Sequence, residues 1–530
     1  MIRKYSVNFI AVLVFIFLAI GCGTSSKITT VVQVTGGAIE GIEKDGIFSY
    51  KGIPFAAPPV GDLRWRSPQP MVPWEGVRKA DAFAPGPMQD TQFGAILGGP
   101  QEISEDCLYL NVWTGAKKAD EKRPVMVWIY GGGFGIGMTS TPAYDGTNLA
   151  KKGVVLVSVA YRVGPLGFLA HHELSEESGQ GSGAYGIQDQ IAGLRWVKEN
   201  IAQFGGDPSN VTIFGESAGG ISVSMLTASP MAKGLFHRAI SESGGSMTPP
   251  RMTLQQAEEQ GKAYLISLAA EDIAAARALS AEEIQKNTKG MGGFWPVADG
   301  ATIAEDQYKR FEAGEFNDTP ILVGTNSNEG GLFVTQPITS EGFEKMVTSQ
   351  YAAGAEAILK AYPHATDAEA TQSAKDIMRD SIFAWPTWAW ATLQSRNGKN
   401  KAFVYYFDHR ALGSPDGANH GAEISYVFGN LGTMGPMSAR SDSPEDKALS
   451  ELISAYWINF ARTGDPNAQG LPEWPSFDEK EQSVMYFDGK PGAIKHPNLD
   501  KIMAFDAYFA KVREEMDLIS VKEDQDVIIK

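Results

Sequence analysis

Hydrophobic positions along the chain follow two periods. Pro124-Val-Met-Val-Trp-Ile-Tyr130 and Val154-Val-Leu-Val-Ser-Val-Ala160 are continuous apolar runs, rich in β-branched residues and bounded by Gly, as expected of strands covered on both faces. From Gly186 to Ile201 the apolar residues Ile187, Ile191, Leu194, Val197 and Ile201 recur at helical spacing, which predicts an amphipathic helix. Asp207, Pro208 and Asn210 then punctuate; Val211–Phe214 reads as a strand and Ala218 opens a helix. Further strands are expected at His237–Ser241, Pro320–Val323 and Ala402–Phe407, and further helices at Lys447–Arg462 and Leu499–Met516. Strand followed by helix, repeated in this way, predicts an α/β fold whose central sheet is mostly parallel with helices on both faces. Residues 250–290 and 340–400, rich in Ala, Glu, Lys and Gln, read as helical segments capping that sheet.

The N-terminus breaks the pattern. Arg3 and Lys4 precede Phe9–Ile20, twelve apolar residues without charge or proline, too short to span a bilayer comfortably but suited to the apolar region of a signal peptide. Ala19-Ile20-Gly21-Cys22-Gly23 follows and resembles a bacterial lipobox, although Leu18 stands one place further from the cysteine than is usual. The expected layout is a removable leader over 1–21, lipidation and membrane attachment at Cys22, a polar tether over 22–33 and one catalytic domain over 34–530. Export follows, with a periplasmic or secreted form as the alternative to a membrane-anchored one.

Composition narrows the function class. Across 530 residues, 46 Lys+Arg stand against 62 Asp+Glu, a formal net charge of -16. Loss of the leader removes Arg3 and Lys4, so 44 basic residues remain against 62 acidic ones and the net charge becomes -18. Such a surface repels phosphate backbones, which argues against a nucleic-acid partner. The two cysteines, Cys22 and Cys107, cannot by themselves build a four-cysteine metal site or a disulfide-dense scaffold.

Gly215-Glu216-Ser217-Ala218-Gly219 matches G-x-S-x-G between an expected strand and an expected helix. A sharp strand-to-helix turn needs glycine where backbones crowd, and it lifts a serine hydroxyl clear of the sheet edge. Serine needs a base to become a nucleophile, and the base needs a carboxylate to orient it. Of seven histidines, His420 in the Gly-rich stretch after a late strand is best placed, with His409 as the alternative. Glu329, taken alone, reads as a solvated loop acid. Tyr130-Gly-Gly-Gly-Phe134 follows a central strand and lets backbone N–H groups face a developing oxyanion. A phosphate loop is a poor alternative, because the Lys-Ser/Thr pair is missing.

Taken together these residues resemble the type-B carboxylesterases from about Val34 to Phe487. The resemblance rests on Tyr50-Lys-Gly-Ile-Pro-Phe55, Ser104-Glu-Asp-Cys-Leu-Tyr-Leu-Asn-Val112, the triple-glycine loop, Asn210–Gly219, Gly234-Leu-Phe-His-Arg-Ala-Ile240, Pro296-Val-Ala-Asp-Gly300, His420-Gly-Ala-Glu423 and Tyr426-Val-Phe428. It implies an α/β-hydrolase fold and hydrolysis of small-molecule carboxylic esters through an acyl-enzyme, with no metal or cofactor. By the same resemblance Ser217 is the nucleophile, Glu329 the orienting acid and His420 the base. Gly132, Gly133 and Ala218 become the oxyanion donors, with Glu216 and Ser243 in support.

The chain also departs from the family. Relatives often pair the cysteine matching Cys107 with an earlier one; none is present here, so a buried free thiol is expected. Ile96-Leu97-Gly98 stand where cholinesterases carry a quaternary-ammonium-binding Trp, which argues against choline esters as preferred substrates. Gly290, Gly292 and Gly293 precede Pro296 where tight acyl pockets carry aromatics, so a roomier acyl side is expected.

Overall fold

The computed structural model describes residues 27–91, 102–288, 293–412, 416–433 and 442–528, with side chains described as far as Leu518. The leader, Cys22, the Ile96-Leu97-Gly98 segment, Gly290 and Gly292 lie outside the described residues.

An eleven-stranded sheet organises the chain: β1 (Ile42–Lys44), β2 (Ile47–Pro54), β3 (Tyr109–Thr114), β4 (Arg123–Ile129), β5 (Val155–Val159), β6 (Gly206–Glu216), β7 (Arg238–Glu242), β8 (Ile321–Asn326), β9 (Ala402–Phe407), β10 (Ser483–Phe487) and β11 (Gly492–Lys495). Their spatial order is β11-β10-β9-β8-β7-β6-β4-β5-β3-β2-β1. Every pairing from β10 across to β5 is parallel, whereas β11 on one edge and β3, β2 and β1 on the other join antiparallel. The expected strands form the parallel block, and β5, β8 and β9 are buried at every residue, as their unbroken apolar runs require. The antiparallel edges escape the hydrophobic pattern because β2 (IFSYKGIP) and β3 (YLNVWT) interleave polar residues with apolar ones.

Helices cover both faces. Those used below are α1 (Tyr185–Asn200), α2 (Ala218–Ala228), α3 (Leu254–Ser267), α4 (Asp367–Arg379), α5 (Trp385–Asn397), α6 (Pro444–Thr463) and α7 (Leu499–Ile528). The segments expected to cap the sheet are helical, and α5 packs directly on β8 and β9. Beneath the catalytic end, Trp128 gathers Tyr144, Phe214 and Phe428, with ring centroids 4.9–5.0 Å away.

One boundary differs from expectation. The tether expected over 22–33 is part of the folded body from Lys27 onward: Ile28 is buried, its N–H donates to the Lys117 carbonyl at 2.9 Å, and Val31–Val34 pairs with Gly37–Glu40. Ile28, Val32 and Val34 supply apolar surface that a solvated tether would leave in water. Cys107 is free and buried, as expected, and burial pushes its thiol well above the ordinary range.

Directly behind the catalytic loops, Arg162 after β5 grips Asp189 of α1 through Nε and Nη2 at 2.8 and 2.7 Å, and its own N–H adds a third bond at 3.0 Å. Both side chains are almost fully buried, so either charge alone would be stranded in a low-dielectric interior. Arg162→Met should therefore lower stability by about 3–5 kcal/mol in urea unfolding, and adding Asp189→Leu should recover most of that loss. Additive losses in the double variant would contradict the pairing as the source.

Candidate active site

Ser217 sits between β6 and α2 at φ 55° and ψ −124°, a sparsely populated conformation for a residue with a side chain. Crowding maintains it. A Cβ on Gly219 would lie 2.0 Å from the Ile129 carbonyl oxygen of β4, and one on Gly215 would lie 2.5 Å from the same oxygen. The Ser217 N–H donates to the Glu242 carbonyl at 2.8 Å and its carbonyl accepts from Ile221 at 2.8 Å, closing the turn on both sides.

The triple-glycine loop lies against this turn. A Cβ on Gly131 would meet Ser217 Cβ at 2.9 Å, and Gly132 and Gly133 take φ of 116° and 59°. Among the described residues no protein group accepts the N–H of Gly132, Gly133 or Ala218. Three unused donors thus cluster beside one hydroxyl.

Glu329 and His420 arrive on loops after β8 and β9. The two loops are stitched together: Asn328 N–H donates to the Ala418 carbonyl at 2.9 Å, Asn328 Nδ2 to Asn419 Oδ1 at 2.9 Å, and Ala418 N–H to Ser327 Oγ at 2.9 Å. Glu329 is fully buried. Its Oε2 lies 2.6 Å from His420 Nδ1, while Oε1 accepts from Ser243 Oγ at 2.5 Å and from the Asn326 N–H at 2.7 Å. His420 Nε2 faces Glu216, with Oε1 at 3.1 Å but no hydrogen bond made, and the imidazole packs between Phe383 and Phe333 at 4.6 and 5.5 Å. Ser217 Oγ makes no hydrogen bond to any described residue, and what joins the serine turn to the imidazole is the carboxylate of Glu216, the residue before Ser217. Catalytic hydrogen bonds commonly tighten only when substrate is present.

The other candidate base is elsewhere: His409 Nε2 pairs with Asp446 Oδ1 at 2.7 Å, and Tyr426 OH donates to the same oxygen at 2.6 Å. Asp446 Oδ2 also accepts at 2.8 Å from Oγ of Ser443, the residue that caps α6, so this pair is tied into the start of α6 rather than to the Ser217 turn. Glu242 and Glu423 were not singled out by the sequence. Glu242 was hidden at the end of an apolar strand, and Glu423 was visible only as an acid three residues beyond His420.

Residues 28–505 match the Carboxylesterase family. The chain is 38% identical over 491 residues to the fumonisin B1 esterase of Sphingopyxis macrogoltabida, covering 86% of each protein. It is 35% identical over 500 residues to the para-nitrobenzyl esterase of Bacillus subtilis (strain 168), covering 89% of this chain and 97% of that one. A solved PNB esterase superposes with a TM-score of 0.81 at 35% identity, over 90% of this chain and 99% of that chain. The chain belongs to the carboxylesterase family. It is a carboxylic ester hydrolase with an α/β-hydrolase fold.

In this carboxylesterase three buried carboxylates, Glu216, Glu329 and Glu423, act on one imidazole, and a fourth, Glu242, acts on two of them. Burial raises Glu216 to about 7, against the pull of His420. Burial, reinforced by Glu216 and Glu329, raises Glu423 to about 8, although Asn326 Nδ2 donates to it at 2.5 Å. Glu242 is held well above the carboxylate range by burial and by its acidic neighbours, while Trp457 Nε1 from α6 donates to it at 2.8 Å. For His420, burial opposes the charged form, but the carboxylates of Glu216 and Glu329 outweigh it and lift the imidazole to about 9.

A chamber of about 610 Å³ flanks the elbow, lined among others by Ile221, Gly245, Gly293 and Trp295. Gly293, Phe294 and Trp295 line it together, so aromatic walls stand beside the described glycine of that segment.

Because the raised value comes from opposing charges, His420 in the resting enzyme should titrate above the ordinary 6.5, towards 9, and lose its proton as pH rises through that value. Histidine NMR should record this, and Glu216→Gln should move the titration downward. A His420 that titrates at or below 6.5 with Glu216 intact would contradict this electrostatic account.

Proposed function

We propose that Ser217 attacks the ester carbonyl while His420 takes its proton, Glu329 holds the imidazole through Nδ1, and the N–H groups of Gly132, Gly133 and Ala218 receive the oxyanion. His420 then gives the proton to the departing alcohol, leaving an acyl-Ser217 ester. Water, deprotonated by the same imidazole, cleaves that ester and returns the serine. The observation that carries this reading is the convergence of a buried Glu329–His420 pair and three unused N–H donors on one strained serine turn. Ser243 supports it by donating to Glu329, which leaves Oε2 free for the imidazole. Glu216 supports it by presenting negative charge to Nε2, which favours the imidazolium formed during attack. This chemistry requires no metal or cofactor.

Choline esters are not the preferred substrates, because Ile96-Leu97-Gly98 stand where cholinesterases carry the ammonium-binding Trp. The names of the relatives make p-nitrobenzyl and p-nitrophenyl esters sensible probes.

Export is part of the same proposal: the leader directs secretion and Cys22 is acylated, tying the enzyme to a membrane outside the cytoplasm. Four small uncharged residues, Gly23 to Ser26, separate Cys22 from Lys27, so an anchored enzyme would sit close to the lipid surface. Mass spectrometry of the mature protein should find an N-terminal, lipid-modified Cys22; an unmodified Cys22 or cleavage elsewhere removes the anchor.

Ser217→Ala should keep the native melting transition and lose p-nitrophenyl butyrate turnover by roughly 10⁴-fold or more. Glu329→Gln should fall by a large but smaller factor through loss of imidazole orientation. Retained turnover in the folded serine variant would overturn the assignment.

A further inference from the structure

The chamber beside the elbow is mostly apolar, yet it carries a guanidinium. Arg251 lines it and stays solvent-accessible there, with Cζ 4.2 Å from the Trp295 ring. Trp295 in turn lies edge-on to Phe134, the residue that follows Gly133 of the glycine loop, with centroids 5.2 Å apart. A chain of ring contacts therefore runs from the residue after Gly133, buried beneath the chamber surface, to this cation. No carboxylate among the described residues forms an ion pair with Arg251, and no protein acceptor receives its N–H groups. The other charged residue lining the chamber, Glu305, is not paired with it either. Partial burial by the chamber walls holds the guanidinium below its ordinary value, but an arginine remains charged at neutral pH.

Arg251 is exposed at that wall, so its charge is open to solvent and to any anion that enters the chamber. Elsewhere in the chain the buried arginines are neutralised from within: Arg162 by Asp189, and Arg379 by Asp376 and Asp380. The Trp295 face fixes the position of the Arg251 guanidinium while leaving its edge donors free, which is the arrangement that recognises a planar anion in two parallel bonds. Resting on the ester-hydrolase reading of Ser217, we propose that Arg251 selects esters bearing a free carboxylate, which it receives in the chamber while the reacting carbonyl lies at the glycine loop. Apolar segments between the two groups would pack on Phe168, Phe294 and Trp295. Arg251 is thus a specificity residue that touches the non-reacting end of the substrate.

The test compares matched charged and neutral esters. On the acyl side these are 4-nitrophenyl hydrogen adipate and 4-nitrophenyl hexanoate; on the alcohol side, 4-carboxyphenyl butyrate and phenyl butyrate. Arg251→Gln should reduce kcat/KM for the charged member of at least one pair by about 10-fold or more while leaving both neutral esters within about 2-fold. Arg251→Lys should recover only part of the loss, since it keeps the charge without the planar fork. The pair that responds identifies which part of the ester enters the chamber. Equal losses on charged and neutral esters, no change on either charged ester, or no wild-type turnover of the charged esters would overturn the inference. Wild-type hexanoate turnover that Ser217→Ala abolishes keeps the catalytic reading intact in those cases. Hexanoate turnover that survives Ser217→Ala would sink the catalytic reading itself.

Discussion

The close approach of β4 and β6 at their C-terminal ends is the constraint on which the site depends. The Ile129 carbonyl lies where a Cβ of Gly219 or Gly215 would be, so the chain can turn there only by passing two glycines and forcing Ser217 to positive φ between them. That conformation costs of order 1–3 kcal/mol, and the parallel pairing of β6 with β4 and β7, together with the aromatic packing around Trp128, offsets it. The same turn starts α2, so the Ala218 N–H is left without an intrahelical partner at the place where the glycine loop aims two more. Serine exposure and oxyanion donors are two consequences of one steric fact.

A second constraint is electrostatic. Four glutamates within one buried region repel each other and lose solvation, and the fold tolerates them by distributing hydrogen bonds and protons among them. Glu329 receives donors on both oxygens and so is held as an acceptor for His420. Glu423 and Glu242 are each given side-chain donors from Asn326 and Trp457, yet both are pushed upward, which favours their neutral forms. Glu216, the only one facing Nε2, is poised near neutrality. The negative field at the imidazole is thus set by which of these acids holds a proton, and the titration belongs to the group as a whole. Such a cluster favours the imidazolium, the species that the proposed general-base step at His420 would generate.

What could be read from the sequence follows from how local each determinant is. The parallel strands are continuous apolar runs, and the elbow is a contiguous motif whose glycines have a steric reason, so both were legible. The edge strands β2 and β3 were not, since their polar residues obscure the period and their pairing partners are remote in sequence. Ser217 and the glycine loop follow from chemistry, and the Gly-rich stretch after a late strand favours His420 over His409, a choice the family resemblance strengthens. His409 also ends a strand and also finds an aspartate, and only the three-dimensional position of the elbow separates the two. Glu329 read alone as a solvated acid; it is buried because Ser243 and the Asn326 N–H, brought from β7 and the end of β8, satisfy it. The tether ended earlier than expected because Ile28, Val32 and Val34 alternate into the core over too short a span to stand out beside the leader.

The proposed chemistry and the proposed selectivity sit on different kinds of structure. The turn, the glycine loop and the Glu329–His420 pair are fixed by backbone crowding and by hydrogen bonds between strand ends, which leaves little freedom to change them without losing the fold. The chamber draws on the segment before α3 and the segment around Trp295, together with Ile221 and Met225 of α2, Gly245 after β7 and Phe509 of α7. Arg251 is fixed there by the Trp295 face, and Trp295 is fixed by Phe134, one residue from the oxyanion donors. A change of charge at position 251 can then alter which ester is held without disturbing the serine turn, because only an aromatic contact, and no hydrogen bond, links the two.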